Sequence, residues 1–151
     1  MAEAPTLRAD APQTLEQAWA VIREGGLLIY PTDTLYALGG NAWDGSVARR
    51  VRRAKGREEG KPLPVIARDL DQVKELCRDF PPDAALLADA FWPGPLTLVL
   101  AVAPAVPEDL TGGVGSVAVR IPAHGLARDL CALGPLISTS ANHSGEPAPL
   151  T

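Results

Sequence analysis

Apolar residues along the chain recur at two spacings, intervals of three and four and short unbroken runs, and the two alternate. Leu15, Ala18, Trp19 and Ile22 share one face of a helix that Thr14 opens, with a Thr14–Gln17 capping box and a stop at Gly25–Gly26. Leu27–Tyr30 follows as a short apolar strand ended by Pro31. Asp44 or Ser46 caps a second helix that runs to about Ala54, with Val47, Val51 and Ala54 as its buried stripe and arginines on the other faces. Leu63–Ala67 reads as a buried strand. Asp69 with Gln72 caps a short helix ending near Cys77, and Pro81–Pro82 begins another that ends near Phe91.

Thr97–Val102 and Ser116–Ile121 are predicted strands joined by a Pro- and Gly-rich loop. Leu126–Leu133 is a helix and Pro135–Ser138 a last strand. Strands alternating with helices predict an α/β domain, and the tight apolar runs predict a sheet covered on at least one face. Residues 1–13, rich in Ala and Pro, read as a flexible N-terminal arm ahead of one domain over 14–151, without an internal repeat or linker.

A length of 151 residues suits one domain with one sizeable core. With 46% apolar and 21% charged residues, the composition is that of a soluble globular protein, not a disordered one. No apolar run approaches the roughly 20 residues that span a bilayer. The N-terminus lacks a basic segment followed by an apolar core, so no signal peptide is expected. Cys77 and Cys131 lie far apart without a CxxC pattern and read as buried thiols in a reducing cytoplasm. His124 and His143 are the only histidines, which excludes a His-rich metal site. The net charge of −4 argues against coating of nucleic acid, yet half of the 14 Lys and Arg fall between Arg49 and Lys61. A local cationic patch on an acidic protein suits a compact anion better than a long duplex.

Several stretches carry candidate chemistry. In PTDTLYALGG (31–40) a strand delivers two threonines and Asp33 into a loop; this is either a Ser/Thr turn or a ligand pocket at a strand end. In AKGREEGKP (54–62) Lys55, Arg57 and Lys61 alternate with Gly56 and Gly60, as phosphate ligands or as a solvated face balanced by Glu58 and Glu59. Arg49, Arg50, Arg52 and Arg53 are expected mostly on that solvated face. WPGPLTLVL (92–100) reads as structural. Ser116 and Arg120, four apart on one strand, point to the same face. A buried Arg needs a counter-charge, which a protein carboxylate or a bound carboxylate or phosphate supplies. In ISTSANHSG (137–145) Ser138, Ser140 and Asn142 can form an anion-holding nest. There is no GxSxG, HExxH, GxGxxG or Walker pattern, and no Cys–His pair. An enzyme of this composition would work by positioning and electrostatic stabilisation, not by a protein nucleophile.

In order and spacing, PTDTLYALG, KGREEGKPL, WPGPLTLVL, VAVRIPAH and ISTSANHSGEPAP resemble the YrdC-like L-threonylcarbamoyladenylate synthases, from about Gly25 to Pro149. The resemblance implies a YrdC-like α/β fold, a twisted mixed sheet flanked by helices around a concave cationic cavity. It implies synthesis of L-threonylcarbamoyl-AMP and pyrophosphate from L-threonine, bicarbonate and ATP, with Mg²⁺ on the nucleotide, as a step in tRNA threonylcarbamoyladenosine modification. Lys55, Arg57, Ser140 and Asn142 match the catalytic KxR and SxN positions. Thr34, Arg120 and Ser138 match the L-threonine site, and Arg57, Lys61, Ser116, Ser140 and Asn142 the ATP site. No protein metal ligands are implied; tRNA and other threonylcarbamoylation proteins are the implied partners.

Two departures accompany the resemblance. Ile66 stands where many relatives carry His. Relatives also continue past this loop with a DGG element, a PSTVV-like strand and a later Arg, so the C-terminal part of the family domain is expected to be absent. An alternative is a non-catalytic nucleotide- or RNA-binding module using the Arg49–Lys61 patch. A carbamoyl-adenylate enzyme of hydrogenase maturation is a further one, though those chains carry zinc-finger and acylphosphatase-like parts not found here.

Overall fold

The computed structural model describes residues 4–56 and 60–142. Helix α1 (Thr14–Arg23) leads into strand β1 (Leu28–Tyr30), which turns back as β2 (Ala37–Gly39). Helix α2 (Gly45–Lys55), strand β3 (Val65–Ile66), helices α3 (Leu70–Leu76) and α4 (Pro82–Phe91), and strand β4 (Leu98–Ala101) follow. A short α5 (Glu108–Thr111), strand β5 (Ser116–Arg120), helix α6 (Gly125–Leu130) with a 3₁₀ turn at Cys131–Leu133, and strands β6 (Leu136–Ile137) and β7 (Thr139–Ser140) complete the order.

The strands form two sheets. One is antiparallel in the order β1-β2-β7; the other is mixed, β4-β5-β3-β6, with β3 parallel to β5. Register assigns the faces of the mixed sheet. Leu98, Val119, Val65 and Ile137 lie opposite one another across its four strands, and all four are buried in the larger core with Val47, Val51, Leu76 and Leu110. One residue along, Arg120, Ile66 and Leu136 form the next row, which the alternation of strand side chains turns to the opposite face. There Ile66 and Leu136 pack with Ala18, Ile22, Tyr30, Ala127 and Leu130 in a second cluster.

The α/β class and most helices stand where the pattern places them, and four local features differ, besides the faces of α2. Thr14 starts α1 but forms no capping box: its hydroxyl donates to the Arg8 carbonyl, and the N-cap position, Gln13, makes no side-chain bond. Residues 37–39 form a strand instead of continuing the loop, because Gly39 lets β2 cross the β6–β7 bend; a Cβ there would collide with the Ile137 carbonyl. The Pro/Gly-rich segment before β5 contains α5. The last strand breaks at Ser138, so that its second half, β7, joins the other sheet.

Helix α2 departs furthest from expectation. Asp44 caps it, accepting from the Ser46 N–H at 2.9 Å, and Gly56 ends it at φ 66°. Its buried stripe runs Val47, Ala48, Val51, Arg52 and Lys55, while Ala54 is exposed. Arg52, expected on the solvated face, is 6% exposed. Its guanidinium donates to the carbonyls of Lys61 (2.6 Å), Asp109 (2.5 Å) and Leu110 (3.2 Å), joining the end of the basic loop to α5. These carbonyls are loop and helix-end acceptors whose desolvation is costly when unmet. Replacing Arg52 by Ala should therefore lower unfolding free energy in urea by about 3 kcal/mol, whereas the exposed neighbour Arg53→Ala should stay within about 0.5 kcal/mol.

Candidate functional site

A cleft of about 150 Å³ opens where the two sheets meet. The β1–β2 loop supplies Thr32, Thr34 and Leu35, β3 supplies Val65 and Ile66 behind Pro64, and β5 supplies Arg120 at its end. The β6–β7 bend contributes Ser138, Thr139 and Ser140, held against β3 by the Ser138 N–H donating to the Pro64 carbonyl at 2.8 Å. Tyr30 clamps the same bend from β1, donating its hydroxyl to the Ile137 carbonyl at 2.8 Å.

Arg120 is 8% exposed, and its counter-charge is a protein carboxylate, Asp33. Nη1 donates to Asp33 Oδ1 at 2.6 Å and to the Gly94 carbonyl at 3.1 Å; Nη2 donates to Thr34 Oγ1 at 3.1 Å. The second Asp33 oxygen accepts from the Ala123 N–H at 3.0 Å. Thr32 shapes the loop from within, its hydroxyl donating to the Leu35 carbonyl at 2.6 Å while accepting from the Thr34 and Leu35 N–H groups. The loop is thus both a Ser/Thr turn and a pocket wall, and Asp33 does more than close a turn. WPGPLTLVL, read as structural, also reaches the site: Gly94 receives Arg120, and Thr97 lines the cleft.

A second cation binds the other side of the bend. Lys55, 3% exposed, donates to the Ser140 carbonyl at 2.7 Å, Ser140 Oγ at 3.3 Å, the Asn142 carbonyl at 2.9 Å and Asn142 Oδ1 at 3.1 Å. Ser140 Oγ also donates to Asn142 Oδ1 at 2.5 Å. Lys55, Ser140 and Asn142, distant in sequence, therefore form one knot, and Ser140 joins it to the cleft.

The expected site residues divide accordingly. Thr34, Arg120, Ser138 and Ser140 line the cleft, with Lys55 and Asn142 adjoining through Ser140. Ser116 has the parity of Arg120 but sits at the far end of β5 opposite Ala101, and does not line this cleft. Lys61 is exposed, with its carbonyl bound by Arg52. Arg57 lies outside the described residues. Ile66 is 1% exposed and forms an apolar wall beside Arg120. The cationic patch on α2 is narrower than its sequence suggests: Arg52 is buried, Arg49 pairs with Asp109 at 2.5 Å, and Arg50 donates to the Gly25 carbonyl.

Neither cysteine offers a reactive thiolate. Both are buried and free; burial raises the Cys77 thiol and pushes Cys131 up to about 12. For Asp33, burial raises the carboxyl, but the bonds from Arg120 and the Ala123 N–H outweigh it and hold its pKa below the usual value. A carboxylate whose folded pKa is depressed adds stability above its unfolded pKa, near 3.9, and loses that contribution as pH falls through the folded value. The stability advantage of the wild-type protein over Asp33→Asn should accordingly be constant from about pH 5 to 7 and shrink below about pH 4, as read by urea unfolding at each pH.

Comparison with known proteins places this architecture. The Sua5/YciO/YrdC family model, described as "Telomere recombination", matches residues 20–151. The chain is 46% identical over 130 residues to a threonylcarbamoyl-AMP synthase of Pyrococcus abyssi, covering 85% of this chain and 38% of that one. It is 41% identical over 132 residues to a threonylcarbamoyl-AMP synthase of Pseudomonas aeruginosa, covering 87% and 71%. The crystal structure of P. abyssi Sua5 complexed with L-threonine superposes with a TM-score of 0.88 at 41% identity, over 96% of this chain and 42% of that one. The chain thus spans about two fifths of the P. abyssi relative. With the family model covering most of the chain and the two-sheet fold shared, the chain belongs to the Sua5/YciO/YrdC family.

Proposed function

We propose that this chain forms L-threonylcarbamoyl-AMP from L-threonine, bicarbonate and ATP, and that the cleft beside Arg120 receives the amino acid. The observation that carries the reading is the composition of that cleft: one guanidinium, hydroxyls from Thr34 and Ser138, and the apolar wall of Ile66 within about 150 Å³. A small amino acid with a carboxylate, a hydroxyl and a methyl group matches these surfaces. The L-threonine bound in the structurally similar P. abyssi protein supports the same reading.

In this scheme Arg120 takes the carboxylate through directed hydrogen bonds, with Thr34 and Ser138 beside it. Bicarbonate loses water to give carbon dioxide, and the amine, after giving its ammonium proton to solvent, bonds to that carbon and releases a second proton to solvent as the carbamate forms. A carbamate oxygen then bonds to the α-phosphorus of ATP as the bond to pyrophosphate breaks. Both reactants are anions, so the protein must hold like charges together and offset charge in the transition state. Lys55, Arg57, Lys61, Ser140 and Asn142 are proposed for the nucleotide side, with Ser116 further along β5; Lys55 fixes the bend that presents the Ser140 hydroxyl. Mg²⁺ would neutralise phosphate charge. It would be held there by phosphate oxygens of the nucleotide. Residues 14–151 are read as one catalytic domain behind a short arm, working in the cytoplasm, with the product consumed on tRNA. Among the described residues no helix is long and apolar enough to cross a membrane.

The test is pyrophosphate release from ATP and bicarbonate, with and without L-threonine. Threonine-dependent release is expected, with a loss of at least about a hundredfold in Lys55→Ala; release indifferent to threonine would overturn the reading. The Ile66 wall further predicts that Ile66→Ala lowers the ratio of kcat/KM for threonine over serine by about tenfold, the usual worth of one methyl contact. That ratio is independent of how much of the variant is folded.

A further inference from the structure

We infer that Asp33 is the positioning residue of the amino-acid site: its carboxylate fixes the Arg120 guanidinium in the orientation that receives the substrate carboxylate. The inference rests on the synthase reading for its consequence and on geometry for its cause. Arg120 approaches the cleft from the end of β5, and an arginine side chain otherwise rotates freely about several bonds. Here Nη1 is held between Asp33 Oδ1 and the Gly94 carbonyl, and Nη2 reaches Thr34 Oγ1. Asp33 is itself held, because its other oxygen accepts from the Ala123 N–H, three residues beyond Arg120. One carboxylate therefore ties the β1–β2 loop, the end of β5 and the segment after it into a single unit.

Both carboxylate oxygens act as acceptors, and this makes the role specific to Asp. Asn at this position has one acceptor and one donor group, so it can serve either Arg120 or Ala123 but meets the other donor with its own N–H. Glu keeps two acceptors and the charge, displaced by one methylene. The pair also carries no net charge. What Arg120 offers a substrate carboxylate is direction more than long-range attraction, so loss of Asp33 changes the aim of the guanidinium even though it removes a negative charge from the site. A purely electrostatic account predicts the opposite, tighter binding of an anion once Asp33 is neutralised.

Two readouts test this. The first needs no substrate: the side-chain N–H resonances of Arg120 should show hindered rotation of its Nη groups in the wild-type protein and fast rotation in Asp33→Asn. The second is the split between substrates: Asp33→Asn should raise KM for threonine on the order of tenfold while KM for ATP stays within about twofold, with Asp33→Glu intermediate. In an Arg120→Lys background the same Asp33→Asn change should add less than about threefold, because the fork it orients is gone. Unchanged Arg120 resonances, an unchanged or lower threonine KM, or a full effect persisting in Arg120→Lys would overturn the inference. If Asp33→Asn does not fold, Asp33→Glu carries both readouts. Altered resonances in a protein without threonine-dependent turnover would sink the synthase reading while upholding the positioning of Arg120 by Asp33.

Discussion

Val65 lies opposite Val119, and Ile66 opposite Arg120, in the parallel pairing of β3 with β5. This register separates what is core from what is site. Valines at 65 and 119 close the larger core with Leu98 and Ile137, and the next row necessarily faces the other way. A slip of one residue would carry Arg120 into an apolar core without a partner, at the cost of burying an unpaired charge. The same slip would turn Val119 toward the polar cleft. Folding energy and site geometry therefore favour the same register, and the site needs no separate device to hold its arginine on the correct face.

The cleft also depends on the break at Ser138. Ile137 belongs to the mixed sheet and Thr139 to the antiparallel one, so the chain changes sheets within a few residues. Such a bend exposes backbone groups, and these are met from three directions. Tyr30 donates to the Ile137 carbonyl, Ser138 donates to Pro64, and Lys55 donates to the carbonyls of Ser140 and Asn142. Lys55 spans 85 residues of sequence to make its contact with Ser140. A buried ammonium so used is both a structural staple and the nearest described cation to the Ser140 hydroxyl. Its substitution cannot affect one of these properties without the other.

Sequence patterning captured much of this, and its failures share physical causes. Helices α3 and α4 are legible from their end residues, and α1 from its apolar face and the glycine stop after it, not from a capping box. The three-residue strand β2 and two-residue β7 were not: they are too short to show a period, and long-range pairing alone defines them. Arg52 was misassigned because charge suggests solvent, whereas its acceptors are carbonyls of loop 61 and α5, invisible to a scan of side-chain types. Thr34, Arg120 and Ser138 line one cleft although they come from three distant stretches. From sequence alone Asp33 reads as part of a turn or a pocket loop, because its partner lies 87 positions away. The need of Arg120 for a counter-charge was readable from burial; the identity of the carboxylate was not.

Two buried cations meet at the bend around Ser140, and the hydrogen bonds described for each differ in kind. Beside the cleft Arg120 and Asp33 compensate each other, leaving directed donors and an apolar wall. Lys55 donates to two carbonyls, a hydroxyl and an amide oxygen of that bend. Its ammonium is thereby fixed next to the hydroxyl that opens into the cleft. The proposed reaction between a small carbamate and a polyphosphate calls for hydrogen-bond direction toward the first partner and positive charge near the second. The Arg120–Asp33 pair and the buried Lys55 ammonium, which meet at Ser140, bring both kinds of group to one bend of the chain.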